Sequence, residues 1–286
     1  MTPVAAPAAS AAVPSRQAVM AQASGENFPV ASHLLGRRER GHLLAIYGFA
    51  RLVDDLGDEA SGDRAALLDW LEEDLERIYG HAPPEHPVMR ALAPTVAACR
   101  LPDRPFRRLI EANRRDQRVT RYRTFEELLG YCQLSAAPVG ELVLHVFGAA
   151  SPERIALSDR VCAALQVVEH LQDVAEDHAR GRVYLPAQDL QRLGCPEADL
   201  AAARVSDPLR EVLALQGARA RTLLEAGAPL AATLAPRPRL AVAGFVAGGR
   251  AALDALERAG YEVLGERPRP TWRMFAQRWV EAVRGR

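Results

Sequence analysis

Residues 161–186 read VCAALQVVEHLQDVAEDHARGRVYLP, and this stretch decides the fold. Val167, Val168, Leu171 and Val174 recur at three- and four-residue steps, the period of a helix with an apolar stripe. Glu169, Asp173 and Asp177 stand at i, i+4 and i+8. Four residues advance about 400° around an α-helix, so the three acids are expected to form one slightly slanted row. Gln166 lies one turn earlier, on the adjoining edge. His170 and His178 each follow a row acid by one residue and are expected to point about 100° away from it. Gly181 ends the helix, and Arg182 to Pro186 leaves it.

A second stretch repeats the pattern. Arg40–Glu59 reads RGHLLAIYGFARLVDDLGDE. Leu43, Ile46, Tyr47 and Ala50 form the apolar stripe, and Arg51, Asp54, Asp55 and Asp58 follow. Asp54 and Asp58 are i,i+4, so α-helical spacing places them one turn apart on one face, with Arg51 beside Asp54.

Outward from these two segments, the chain reads as helix nearly throughout. Alanine and leucine are abundant, and β-branched alternation is scarce. Breaks fall at Gly/Pro punctuation, such as Gly80 to Pro87, Leu101 to Pro105, Gly181 to Pro186 and Pro268 to Pro270, leaving about eight to eleven helical segments. No composition shift divides the chain. The expected fold is all-α, one helical domain over residues 25–286 that can enclose a central cavity. Residues 1–24, rich in Ala and Pro without a basic start or leucine-rich core, are expected to be a disordered tail and not a signal peptide.

Composition narrows the function. The 286 residues carry 36 basic and 36 acidic groups, a formal net charge of zero. That balance argues against broad capture of nucleic acid. No stretch approaches the roughly 20 apolar residues of a spanning helix. Every basic residue is arginine, which excludes Schiff-base and Walker-type lysines; a GC-rich coding bias is the simplest reason. Cys99, Cys132, Cys162 and Cys195 lie too far apart in sequence for a C-x-x-C pair and are read as reduced thiols. The glycines at 244, 248 and 249 are read as a close helix approach, because no G-x-G-x-x-G follows a strand. Trp272, Phe275 and Trp279, with Arg273 and Arg278, make an amphipathic end segment that either packs on the body or touches a membrane interface.

The acids carry the chemistry. An acidic helix face is usually solvated surface. Here Val53, Leu56, Val167, Val168, Leu171 and Val174 flank the carboxylates, and like charges in an apolar setting repel unless a cation sits among them. Oxygen-only ligands suit Mg²⁺, which takes one or two carboxylates and completes its shell with water and phosphate oxygens.

At these residues the sequence resembles the squalene/phytoene synthase family. The likeness is carried by ENFPVAS (Glu26–Ser32), AIYGFARLVDDLGDE (Ala45–Glu59), TRYRTFEELLGYCQLSAAPVG (Thr120–Gly140), LQVVEHLQDVAEDHARGRVYLP (Leu165–Pro186) and ALDALERAGYEVLGERPR (Ala252–Arg269). ENFPVAS, the Ala137-Pro138-Val139-Gly140 run and Gln172 resemble the hydroxysqualene synthase branch. The resemblance implies an isoprenoid-synthase-type bundle and Mg²⁺-dependent conversion of presqualene diphosphate and water to hydroxysqualene and diphosphate, in squalene and hopanoid biosynthesis, without NADPH. It implies metal ligands at Asp54, Asp55, Asp58, Glu169, Asp173 and Asp177, with catalytic weight on Asp54, Asp58, Asp173, Asp177 and Tyr131. It implies substrate or diphosphate contacts at Arg51, Arg267, Tyr47, Phe28, Gln166 and Gln172, with Arg267 matched after a one-residue shift.

The implied setting is cytoplasmic, with at most peripheral membrane contact, no nucleic acid, and pathway enzymes before and after as partners. Departures from the family pattern lie at Glu169, where many relatives carry asparagine, and at Glu26 and Gln172, which replace a lysine and an arginine. The site has exchanged basic groups for acidic or neutral ones, so holding two allylic diphosphates at once is expected to be harder than holding one presqualene diphosphate. The competing expectations are head-to-head condensation of two farnesyl diphosphates to squalene, dehydrosqualene or a phytoene-like product, and a helical assembly protein that has lost its chemistry. Complete acid rows argue against the last.

Overall fold

The computed structural model describes residues 13–21, 35–265 and 267–284. Among them the fold is all-α: thirteen α-helices, a π-helical segment, two short 3-10 turns and one isolated bridge between Arg121 and Val183. The excess over the segments expected comes from breaks without Gly or Pro, as at Ala136 and Asp173. Two compact units emerge, one from residues 1–118 with 138–150, the other from 119–137 with 151–286.

The first unit holds α1 (Arg16–Ala21), α2 (Arg37–Asp54), the π-helix Asp55–Glu59, α3 (Arg64–Tyr79), α4 (Pro87–Cys99), α5 (Arg104–Asp116) and all but the first residue of α7 (Ala137–Val146). Its core gathers Phe49, Leu52, Leu56, Leu68, Leu71, Met89, Phe106 and Ile110. Phe49 and Phe106 meet edge to face at 4.9 Å, and each such buried ring stabilises the fold by about 1.5–3 kcal/mol. Asp63 caps α3 by accepting from Ala66 N at 3.1 Å, which satisfies an orphan amide of the first turn. Part of the stretch expected to be a tail is packed here. Val19 of α1 is fully buried in this core, and His86 Nε2 lies 3.1 Å from the Pro14 carbonyl.

The second unit holds α6 (Phe125–Ser135), α8 (Pro152–Gln172), α9 (Val174–Ala179), α10 (Ala187–Arg192), α11 (Asp207–Gly227), α12 (Pro236–Arg258) and α13 (Trp272–Val283). α8 packs most extensively on α11, and α12 on α13. Gly249 explains part of the close approach expected from the glycine run: a Cβ there would stand 2.8 Å from Leu165 and 2.9 Å from Leu224. The GRVYLP exit is sewn to residues 120–123. Val183 N donates to Thr120 O, Ala187 N to Tyr122 O and Gln188 N to Arg123 O, at 2.9–3.0 Å.

Candidate functional site

In the first unit, the acids do not keep the α-helical register that their spacing suggests. α2 gives way at Asp55 to a π-helix, closed by Ala60 N donating to Asp55 O at 2.9 Å. A π turn is wider, so Asp54 and Asp58 are not one regular turn apart; single π turns recur at functional sites. Arg51 pairs directly with Asp55 at 2.7 Å and with Glu59 at 2.8 Å, and its charge also reaches Asp54, as expected from their spacing. Asp55 is buried and Asp58 half-buried. Tyr47, one turn before Arg51, is half-buried.

Asp54 itself meets a residue that sequence reasoning missed. Asn113 Nδ2 donates to Asp54 Oδ1 at 3.2 Å, and Gln117 Nε2 donates to Gly57 O at 2.9 Å. The signal was present in the i,i+4 pair of amides at the end of α5. Arg114, beside Asn113 in sequence, bridges Asp69 and Glu72 at 2.6 Å. Gly57 is required here, since a Cβ would fall 2.0 Å from Asn113 Oδ1. Asp54 keeps open surface, yet desolvation by surrounding protein lifts its carboxyl to about 7; Asn113 opposes that rise and Asp58 adds to it. Solvent on the open side screens part of the cost. Asp55 is also raised by burial, against the pull of Arg51.

In the second unit, the row Glu169, Asp173, Asp177 is bent at its middle. α8 ends at Gln172, and Asp173 takes φ −104° and ψ 10° before α9 begins. Main-chain bonds still run from Asp173 N to Glu169 O and from Asp177 N to Asp173 O, at 3.0 and 2.8 Å. The bend brings His170 Nδ1 to 3.7 Å from Asp177 Oδ2. His170 was expected to point away from the acids, but it sits buried at their side. Gln166 Nε2 donates to Glu169 Oε2 at 3.3 Å and lies 3.5 Å from His170 Nε2.

Remote residues close this second group. Arg267 Nη1 pairs with Asp173 Oδ1 at 3.1 Å, and its Nη2 contacts Glu176. Gln172 Nε2 donates to Pro268 O at 3.3 Å. Desolvation raises the Asp173 carboxyl, and Arg267 restrains that rise. Tyr131 is buried in a ring cluster beside the row: His170 stacks on Tyr184 at 3.7 Å and 11°, with Tyr131 5.5 Å from Tyr184 and Tyr122 5.7 Å from it. Tyr122, Phe125 and Tyr184 are all buried. Phe28 and Glu26 lie outside the described residues.

Among the described residues no three acid, histidine or cysteine side chains converge as a ready metal cage. The donors nevertheless fit a hard ion. They are carboxylate oxygens, and Mg²⁺ needs one or two of them, with water and phosphate oxygens supplying the rest.

An all-helical chain with two arginine-attended carboxylate groups has the build of a protein that handles an anionic substrate. The squalene/phytoene synthase family model matches residues 21–276. A phytoene synthase of Arthrospira platensis is 37% identical over 272 residues, 87% of this chain and 85% of the relative. A hydroxysqualene synthase of Rhodopseudomonas palustris is 36% identical over 210 residues, 73% and 71% of the two chains. The crystal structure of the squalene synthase HpnC from Alicyclobacillus acidocaldarius superimposes with a TM-score of 0.79 at 45% identity, over 85% of this chain and 92% of that one. The chain belongs to the squalene/phytoene synthase family, enzymes of isoprenoid biosynthesis that act on prenyl diphosphates.

Proposed function

We propose that this enzyme converts presqualene diphosphate and water to hydroxysqualene and diphosphate, with Mg²⁺ and without NADPH. The observation that carries the reading is the 34–36% identity with three hydroxysqualene synthases over 72–73% of the chain. The 45% identity with a squalene synthase over 85% of the chain supports squalene-type chemistry more broadly. Gln172 adds to the reading: a neutral amide bound to Pro268 O occupies a position where the family resemblance expects an arginine. Fewer cations beside the second acidic group favour one diphosphate over two.

The C–O bond to the diphosphate breaks with its electron pair leaving on the phosphate oxygen. Water then forms the new C–O bond and gives up its proton. Asp54, Asp55 and Asp58 in the first unit, and Glu169, Asp173 and Asp177 in the second, would hold Mg²⁺, which would supply neutralisation of the leaving group's charge. In the second unit Arg267 would donate charge-assisted hydrogen bonds to phosphate oxygens by turning from Asp173 and Glu176, and in the first unit Arg51 offers the same kind of donor. The Tyr131 hydroxyl adds a donor. The His170–Tyr184 stack holds the bend of the second row, and with it the direction of Asp177.

Incubation with presqualene diphosphate and Mg²⁺, with and without NADPH, followed by mass analysis, tests the reading. An alcohol formed equally in both, and abolished by chelation, is expected. A hydrocarbon formed only with NADPH overturns it. The 37% identity with a phytoene synthase over 87% of the chain favours a second reading, condensation of two farnesyl diphosphates to squalene, dehydrosqualene or a phytoene-like hydrocarbon. Product from farnesyl diphosphate alone is its signature.

A further inference from the structure

We propose that the outer face of α13 docks on an anionic phospholipid bilayer. Counted at about 100° per residue, Trp272, Arg273, Gln277, Val280 and Arg284 share one arc of this helix and its cap, and all five are exposed. The opposite arc, with Arg278 and Ala282, is committed to the body of its own unit, and so is Trp279, which lies two turns beyond Trp272 and about 20° from it around the axis. Trp279 Nε1 donates to Leu240 O at 3.1 Å, Arg278 Nε holds Asp254 Oδ2 at 2.8 Å, and Ala282 is buried. Arg239 Nη2 donates to Val283 O at 2.5 Å and fixes the far end. The helix is therefore not free to roll over and hide its outer tryptophan.

Trp272 is 77% exposed and Val280 42%, the large hydrophobic side chains that the described residues leave open, and both stand on this arc. Exposed Arg269, Arg273 and Arg284 accompany them, and none of the three forms an ion pair with a described residue. The one acid of α13, Glu281, stands at the edge of the arc. It is already held by Arg278 Nη1 at 2.9 Å and Gln277 Nε2 at 3.2 Å. The face is thus cationic with an indole at one end.

That chemistry selects the occupant. A basic face bearing tryptophan suits the headgroup layer, where the ring is half wet and half apolar. Unpaired arginines favour anionic lipid over neutral lipid. One indole and one valine are far too little for the roughly 1,200 Å² of a stable protein interface. The docking surface is independent of the reaction proposed above: vesicle binding can fail while turnover stands.

Flotation of the full chain with phosphatidylcholine vesicles, and with vesicles containing about one third phosphatidylglycerol, tests it. The protein is expected to float with the anionic vesicles only. Trp272→Ser, and separately Arg273→Gln with Arg284→Gln, should each lower partitioning by about 5-fold or more. Circular dichroism of each variant should match the parent. For the parent alone, partitioning should fall as salt rises. Equal flotation on neutral vesicles, partitioning indifferent to salt, variants that bind like the parent, or self-association in solution that Trp272→Ser abolishes would each overturn the proposal.

Discussion

The two acidic segments look alike in sequence and are built differently. In the first, the counter-charge is local: Arg51 bonds Asp55 four residues on and Glu59 eight residues on and reaches Asp54 only through space, while Asn113 hydrogen-bonds Asp54. In the second, it is remote: Arg267 crosses from the far end of the chain to Asp173 and Glu176. One segment widens into a π turn and the other bends at Asp173. The same D-x-x-x-D spelling therefore yields one group whose lead acid is hydrogen-bonded by an amide and one whose middle acid is directly ion-paired.

The largest expected effect is on turnover. Asp173→Asn should lower it by at least ~10²-fold at saturating Mg²⁺, the scale of losing one charge-stabilising group. Steady-state kinetics near the parent value would remove Asp173 from the chemistry and leave the first segment as the main one.

A smaller effect separates the two cations. By calorimetry without diphosphate, Arg267→Gln should tighten Mg²⁺ binding by about 5-fold, because a half-exposed ion pair worth ~1 kcal/mol no longer competes for Asp173. Arg51→Gln should also tighten it, but by about 2-fold only, since Arg51 divides its charge between Asp55 and Glu59, which is not a ligand. The reverse order would break the contrast between local and remote counter-charge.

The smallest effect lies in the pH dependence of stability in metal-free buffer. Both Asp54 and Asp173 have raised folded pKa values, Asp54 near 7. Such a carboxyl contributes stability fully below its unfolded value of about 3.9, and that contribution is lost as pH rises through the folded value. The melting temperature should therefore decline over that window. Asp54→Asn should flatten the decline more than Asp173→Asn, because Arg267 restrains the rise at Asp173. Equal flattening would show that Arg267 gives Asp173 no relief.

Much of the fold was legible. Helical periodicity marks α2 and α8, and Pro or a capping Ser or Thr marks the starts of α4, α8, α11 and α13. The acids, Arg267 and Tyr131 were all singled out from the chain. Less legible were Asn113, Gln117 and His170. The first two stand on α5 and its end, far in sequence from either acidic segment, and meet the first one only through packing. His170 was read through an unbroken helix that the structure bends. The end segment held two answers at once, with Trp279 packed inward and Trp272 left out.

The sequence by itself determined the helices, the family, and which carboxylates and arginines are present. Those follow from neighbours three and four residues apart and from residue identity, which any reading along the chain can see. Only the tertiary structure decided which cation attends which acid, where the helix widens or bends, and which face of α13 stays in water. Each depends on groups distant in the chain, whose packing overrides the regular advance of an α-helix.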